Sequence, residues 1–210
     1  MSTENTKKKI LTEALKLFSR YGYEAVSVEQ IASAVGIKAP SLYKHYKSKR
    51  DIFNSIIKTM DDQDAERAQE YKMPEGEFDK IIEAYQGIPL DQIKAYSEAL
   101  FLHWTDEDFS SGFRKMLTLE QYRNPEMSEL YKRYISTGPV EYMQEVFRPM
   151  ADSDTDPFQL ALEFYGPIYL LYSIYDSKGD KDRLTGALRK HIDRFAQTLN
   201  VRAEDDTKNE

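Results

Sequence analysis

Cysteine is absent from the 210 residues, and histidine occurs three times. The lack of cysteine excludes disulfides and thiolate metal sites, and it fits a reducing cytoplasm, where we expect the protein to act. His45, His103 and His191 are far apart in the sequence, and no glycine-rich phosphate loop is present. We therefore expect no metal site, no cofactor and no enzymatic activity.

Long hydrophobic runs are also lacking. Residues 7–9 are three lysines, as at the start of a signal peptide, but polar residues at positions 12, 13 and 16 interrupt the apolar ones that follow. The most apolar stretch, 164–175, is far shorter than the ~20 residues of a membrane-spanning helix. Since 40% of the residues are hydrophobic and 31% charged, we predict a soluble globular protein without a membrane partner.

The net charge of −7 is unevenly distributed. Residues 1–58 contain eleven lysines and arginines against five acidic residues, a charge of +6, which leaves −13 for the remainder. A basic N-terminal part on an acidic remainder indicates contact with nucleic acid through the first quarter of the chain.

Apolar residues recur at helical spacing along almost the whole sequence, and no segment alternates with the period of a strand. We therefore predict an all-α protein. The helices are expected over 6–21, from Ser27 to Gly36, from Pro40 to Tyr46, and from Ser48 onward. Further helices are expected near 78–86, 90–103, 107–122, 125–147, 157–175 and 181–199.

The block from Ser27 to Asp51 has the plan of a helix-turn-helix. Ser27 and Gln30 form the pattern of a capping box, and Gly36 stands where a left-handed turn would end the helix. A second, short helix follows at once, and in a helix-turn-helix this second helix enters the major groove of DNA. Apolar residues would hold the two helices together: Ile31, Val35, Ile37 and Leu42.

Residues 28–53, VEQIASAVGIKAPSLYKHYKSKRDIF, closely resemble the DNA-binding domain of the tetracycline-repressor (TetR) family. The family pattern is present as Ile31-Ala32, Ala34, Gly36, Leu42-Tyr43, His45-Tyr46 and Lys49. The resemblance implies a helix-turn-helix domain at 1–50 and a helical ligand-binding and dimerisation domain at 51–200. For residues 201–210 we expect a disordered tail.

The resemblance also implies which residues touch DNA. The groove-facing set is Lys38, Ala39, Ser41, Tyr43 and Lys44, and the phosphate or sugar contacts are Ser27, His45, Tyr46 and Lys49. Two positions depart from the pattern. Lys38 stands where Ser or Thr often caps the recognition helix, and Pro40 lacks an N–H that could donate to a phosphate.

These features predict a ligand-responsive repressor that binds a palindromic operator in double-stranded DNA as a homodimer, with a small-molecule effector of unknown identity. Two copies one DNA turn apart, ~34 Å, would read the two half-sites. A transcriptional activator, or a regulator controlled by a protein partner, is the alternative. A helical scaffold that never binds DNA is a third hypothesis of a different class.

The remaining helices are expected to supply the dimer interface and the effector pocket. The interface residues are predicted as Leu160, Phe164, Ile168, Leu171, Tyr172, Leu184, Leu188, Ile192 and Phe195, with ordinary core as the alternative. The pocket residues are predicted as Tyr96, His103, Trp104, Phe109, Met116, Tyr122, Tyr142 and Tyr165, again with core as the alternative. Gly166-Pro167 interrupts a long helix and would shape either a cavity or the interface.

Overall fold

The structure, a computed structural model, describes residues 3–74, 76–85, 87–151, 154–177 and 179–209. These residues contain eleven α-helices, one 3-10 turn and no strand, which confirms the all-α prediction. The helices are α1 Thr3–Tyr21, α2 Val28–Val35, α3 Ala39–Leu42, α4 Lys49–Glu70, α5 Phe78–Tyr85, α6 Leu90–Asp106, α7 Asp108–Glu120, α8 Pro125–Ile135, α9 Thr137–Phe147, α10 Pro157–Asp176 and α11 Lys181–Asn209, with the 3-10 turn at Arg148–Met150.

The helices form two compact units. The first unit contains Met1–Glu66 and Glu107–Tyr131, and the second contains Arg67–Asp106 and Lys132–Glu210. The division differs from a boundary at residue 50, because α4 is continuous across that position and because α7 packs on α1. Residues 107–131 therefore belong with the N-terminal helices, although residues 67–106 separate the two parts in the sequence.

The core of the first unit forms between α1 and α7. Ile10, Ala14 and Phe18 repeat every four residues along α1 and are fully buried. Gly112 of α7 allows the two helices to approach closely, since a Cβ at this position would lie 3.4 Å from the Leu15 side chain. Burial of apolar surface stabilises a fold by ~25 cal/mol per Å², and this contact holds α7 against the N-terminal helices.

The second unit is organised around α10, which packs against α6, α9 and α11. Three phenylalanine rings lie at the centre of this packing. The ring centroids of Phe147 and Phe164 are 5.5 Å apart, and that of Phe195 lies 5.0 and 5.1 Å from them. These separations are typical of favourable edge and tilted aromatic contacts.

Two stretches of the second half differ from the predicted helices. The helix expected over 125–147 is divided at Ser136 into α8 and α9. Gly138 lies against the carbonyl of Arg133, where a side chain would clash, and Pro139 is in the first turn of α9, where its missing N–H costs nothing. Helix α11 continues through residues 201–209, where we expected a disordered tail, since no glycine or proline ends it.

Helix α10 contains Pro167 without interruption of the helix from Pro157 to Asp176. Gly166 and Pro167 are both exposed. The pair therefore lies on the outer side of the helix and away from the aromatic core of the second unit. Within the described residues, none of the helices is long and apolar enough to cross a membrane.

Candidate nucleic-acid interface

The first helix of the candidate interface, α2, begins with the predicted capping box. The Gln30 backbone N–H donates to the Ser27 hydroxyl at 3.2 Å, and the Ser27 N–H donates to the Gln30 side-chain oxygen at 2.7 Å. Gly36 ends the helix with a φ of +81°, in the left-handed region that glycine adopts without strain. Both predicted helix boundaries are confirmed, because local hydrogen bonding determines them.

A tight turn then leads into α3. Lys38 precedes the helix with an extended backbone, and Pro40 occupies its first turn. Leu42 is fully buried, as are Ile31 and, almost completely, Val35 of α2. This apolar contact fixes the angle between the two helices, as in a helix-turn-helix.

The outer surface of α3 and the following turn carries the residues that were predicted to face the groove. Lys38 and Lys44 are exposed, Ala39 and Ser41 are half-buried, and 49% of the Tyr43 surface is accessible. The segment from Lys38 to Tyr46, which we call the recognition segment, therefore presents two ammonium groups, a hydroxyl, a methyl and an aromatic ring. Such groups can contact base edges, thymine methyls and phosphates.

The residues predicted to contact phosphates have different environments. Ser27 is exposed, and its oxygen already accepts the capping bond. Tyr46 is buried to 7% exposure, its hydroxyl donates to the Lys7 carbonyl at 3.4 Å, and burial raises its pKa. His45 is half-buried, and its Nδ1 atom has no hydrogen-bond partner among the described residues. The phosphate contact of His45 stays a prediction.

Lys49 is engaged inside the protein. Its ammonium donates to the carbonyls of Tyr23 and Glu24 at 2.9 and 3.4 Å and lies 4.4 Å from the centroid of the Tyr23 ring. The amine therefore ties the start of α4 to the loop between α1 and α2. The contacts that the structure shows for Lys49 are thus structural, and the phosphate contact implied by the family pattern remains a prediction.

The neighbouring Arg50 forms a two-pronged ion pair with Glu126 in the first turn of α8. The hydrogen bonds from Arg50 hold the pKa of the Glu126 carboxyl below its usual value. Both side chains are about half exposed, so the pair is screened by solvent and its stabilisation is modest. It nevertheless connects the helix that follows the recognition segment to a distant part of the same unit.

The predicted pocket residues are divided between the two units. Tyr96, His103, Trp104, Tyr142 and Tyr165 lie in the second unit, and Phe109, Met116 and Tyr122 lie in the first. Tyr122 is 89% exposed in the turn after α7, so its side chain lies on the surface of the first unit, and its place in a pocket stays a prediction. Met116 is completely buried in the first unit, where the alternative reading as core is the one observed.

In the second unit, several of these residues combine polar groups with aromatic rings. His103 is fully buried, its Nδ1 lies 3.0 Å from the Arg67 guanidinium, and its ring lies 5.8 Å from that of Trp104. The Tyr165 hydroxyl donates to the carbonyl of Ile135 at 2.8 Å. Most of these polar groups are thus already bonded within the unit.

A shallow depression of about 490 Å³ lies along α9. Its lining residues are Gly138, Glu141, Tyr142, Gln144 and Glu145. The Tyr142 hydroxyl donates to that of Tyr85 at 3.2 Å, and burial raises the pKa of both phenols. Tyr142 is the one predicted pocket residue in this lining.

The residues predicted for a dimer interface are core residues of the second unit. All nine are at most 9% exposed within the chain itself: Leu160, Phe164, Ile168, Leu171, Tyr172, Leu184, Leu188, Ile192 and Phe195. Their burial within one chain favours the alternative interpretation as ordinary core, because the most regular apolar stripe of each helix packs inward. Their place in a dimer interface stays a prediction.

The outward face of α10 is also apolar. Its large side chains are 39–59% exposed and recur at steps of one, four and seven residues: Phe158, Leu162, Tyr169, Leu170 and Ile174. We call these residues the α10 outer face. Gly166, which is exposed, lies within the same stripe. Contiguous exposed apolar surface of this kind marks interaction sites in proteins.

A family model described as bacterial regulatory proteins of the tetR family matches residues 10–56. The same region is 42% identical over 52 residues to the HTH-type negative transcriptional regulator of the biofilm operon icaADBC, IcaR, from Staphylococcus aureus strain Newman. The match covers 25% of this chain and 28% of that relative. The chain thus spans little more than a quarter of the length of this relative.

Solved structures of similar fold cover most of the chain. The fatty acid degradation regulator FadR from Bacillus halodurans superimposes with a TM-score of 0.61 at 14% identity, covering 90% of this chain and 94% of FadR. AibR, in complex with isovaleryl coenzyme A and operator DNA, gives a TM-score of 0.60 at 19% identity, covering 88% of this chain and 96% of AibR. At such low identity, the likeness establishes the fold.

Proposed function

We infer that the chain is a regulator of the TetR family, and we propose that it is a ligand-responsive repressor that binds a palindromic operator as a homodimer. The match of residues 10–56 and the all-helical fold support this proposal. The observation that carries the proposal is the exposed recognition segment of a helix-turn-helix whose first helix begins with a capping box and whose two helices share a buried apolar contact. The matched region of IcaR, a negative regulator, supports repression over activation.

The charge and exposure of the recognition segment support DNA binding. Lys38 and Lys44 are exposed beside Tyr43, and Leu42 anchors the segment from the inside. The lysines suit phosphate oxygens or guanine, and Tyr43 has both an apolar ring and a hydroxyl for base edges. These groups carry a positive charge on a chain whose total charge is negative, as expected where a nucleic acid binds.

The α10 outer face supports the homodimer. A four-residue helix buries too little surface for specific affinity by itself, so two copies are needed to read an operator. The α10 outer face would pack against its copy across a two-fold axis, since a two-fold interface uses the same patch on both subunits. Gly166 in the middle of the stripe would allow two such helices to approach closely.

The second unit supports the response to a small molecule. His103, Trp104 and Tyr165 place polar atoms among aromatic rings, a combination found in small-molecule sites. AibR, a structural neighbour, was solved with isovaleryl coenzyme A as well as operator DNA. An effector that binds one of two conformations more tightly would shift the equilibrium between them and so change the affinity for DNA. DNA would in turn change the affinity for the effector by the same factor.

The deciding experiment is selection of binding sites from random duplex DNA with the purified chain at two salt concentrations. A palindrome with half-sites about one turn apart, ~34 Å, is the expected result. The selected duplex then reports effector binding, because an effector would release it in a fluorescence anisotropy assay. If no sequence is enriched with native protein, or with protein denatured and refolded to remove a bound molecule, the DNA-binding proposal is wrong.

A further inference from the structure

The first turns of α1 lie beside the end of the recognition segment. The Tyr46 hydroxyl donates to the main-chain carbonyl of Lys7 at 3.4 Å, and the Lys7 ammonium lies 5.9 Å from the centroid of the Tyr46 ring. Thirty-nine residues separate the two positions in the sequence. Folding thus brings a lysine of α1 to a part of the surface where the family pattern contains no α1 residue.

Most basic side chains of the helix-turn-helix outside the recognition segment have partners inside the protein. Lys9 donates to the Val35 carbonyl at 2.9 Å, and Lys49 donates to the Tyr23 carbonyl. Three more are in ion pairs: Lys16 with Glu13, Arg50 with Glu126 and Lys58 with Asp62. These charges are partly neutralised or fixed in place, and they contribute less to binding an external anion. Lys8, Arg20 and Lys47 are exposed like Lys7, but Lys7 is the α1 lysine whose ammonium lies near the Tyr46 ring.

Lys7 differs from the residues that have partners. It is exposed, and among the described residues no carboxylate lies within ion-pair distance of its ammonium. Its charge is therefore available to an external anion at the edge of the recognition segment. Phosphates of one DNA strand follow each other every ~3.4 Å along the helix axis. A strand that passes the turn at Tyr46 thus passes within reach of an ammonium 5.9 Å from that ring.

We propose that Lys7 binds a phosphate of the DNA backbone and extends the interface from the recognition segment onto α1. This inference rests on the proposed DNA binding and adds a contact that neither the helix-turn-helix pattern nor the recognition segment contains. The contact positions the protein on the duplex and carries no sequence information, because phosphates are the same at every step.

The contact has a measurable consequence for salt dependence. Each phosphate neutralised by a lysine contributes ~0.9 to the slope of log affinity against log salt, so two protomers lose ~1.8 when Lys7 is removed. Extrapolated from 1 M salt, where the contact contributes nothing, to 0.1 M salt, the same slope gives about an eightfold loss of affinity for each contact. The preference for operator over unrelated DNA stays constant.

The experiment compares Lys7→Ala with Lys16→Ala. Lys16 lies on the same helix and loses the same charge, but it is nine residues away, which is ~13.5 Å along the helix axis. That distance exceeds the screening length of ~8–10 Å at 0.1–0.15 M salt. Dissociation constants are measured from 50 to 200 mM salt on the selected operator and on a scrambled duplex. Lys7→Ala retains the main-chain carbonyl that accepts from Tyr46, and thermal unfolding of each variant checks the fold.

The proposal predicts a reduced slope for Lys7→Ala on both duplexes, wild-type behaviour of Lys16→Ala and recovery in Lys7→Arg. Ethylation of one phosphate in each half-site should interfere with the wild type and no longer with Lys7→Ala. A slope for Lys7→Ala equal to that of Lys16→Ala overturns the inference while the function stands. If the wild type prefers no DNA sequence, the proposed function itself fails and the inference fails with it.

Discussion

Tyr43 and Tyr46 lie three residues apart in the recognition segment and differ sharply in environment. Tyr43 is 49% exposed, whereas Tyr46 is 7% exposed and donates its hydroxyl to the carbonyl of Lys7. The family pattern assigns both residues to DNA contact. From the burial, we expect Tyr43→Ala to impair DNA recognition and Tyr46→Ala to impair folding.

The magnitudes follow from the two environments. Truncation of a buried aromatic residue costs about 3–5 kcal/mol in the free energy of unfolding. A substitution at an exposed position changes it by less than about 0.5 kcal/mol. Loss of a base contact by Tyr43 costs about 1–3 kcal/mol in binding, which is roughly 5- to 150-fold in affinity at the contacted base pair. Tyr46→Phe loses one long hydrogen bond, worth at most about 1 kcal/mol.

Urea unfolding followed by circular dichroism measures the first quantity, and fluorescence anisotropy with the selected operator measures the second. With a denaturant slope of about 2 kcal/mol/M, Tyr46→Ala should lower the midpoint by about 1.5–2.5 M, and Tyr43→Ala should leave it unchanged. Point variants of the operator should show that Tyr43→Ala has lost discrimination at one base pair. A loss of stability with full discrimination in Tyr43→Ala, or a wild-type midpoint in Tyr46→Ala, would contradict the roles assigned to the two tyrosines.

Three further substitutions test other parts of the structure. Gly22→Ala should lower the urea midpoint more than Gly36→Ala. Both glycines have a positive φ, which costs a side chain about 1–2 kcal/mol, but a methyl at Gly22 also meets the carboxylate of Glu120; equal losses would contradict the contact. Glu126→Gln should lower the midpoint at pH 7, and the difference should narrow as the pH falls below about 4.5 toward the depressed pKa of the folded carboxyl; a gap of unchanged size at pH 3 argues against the ion pair. Leu170→Lys should convert dimer to monomer in sedimentation velocity without loss of helix, and an intact dimer would remove the α10 outer face as the interface.

The helix-turn-helix could be predicted from the sequence down to its helix ends. The capping box at Ser27 and Gln30, the left-handed Gly36 and the buried Leu42 were all predicted and are observed, because they depend on neighbours within a few residues. The apolar period likewise identified nearly every helix. The break between α8 and α9 was missed, because a periodic apolar pattern continues across it and Gly138 shows its role through a contact with Arg133.

The tertiary structure shows which face of a helix is exposed to solvent and which charged groups already have partners within the protein. Leu170 and Leu171 are adjacent and equally apolar in sequence, but one is 59% exposed and the other 9%. Lys7 and Lys49 are both lysines of a basic segment, but one ammonium is open to solvent and the other is held by two carbonyls. Local patterns predict elements because their causes lie within one or two turns. The burial of a side chain and its hydrogen-bond partners depend on residues that are distant in the sequence, so they can be known only once the chain has folded.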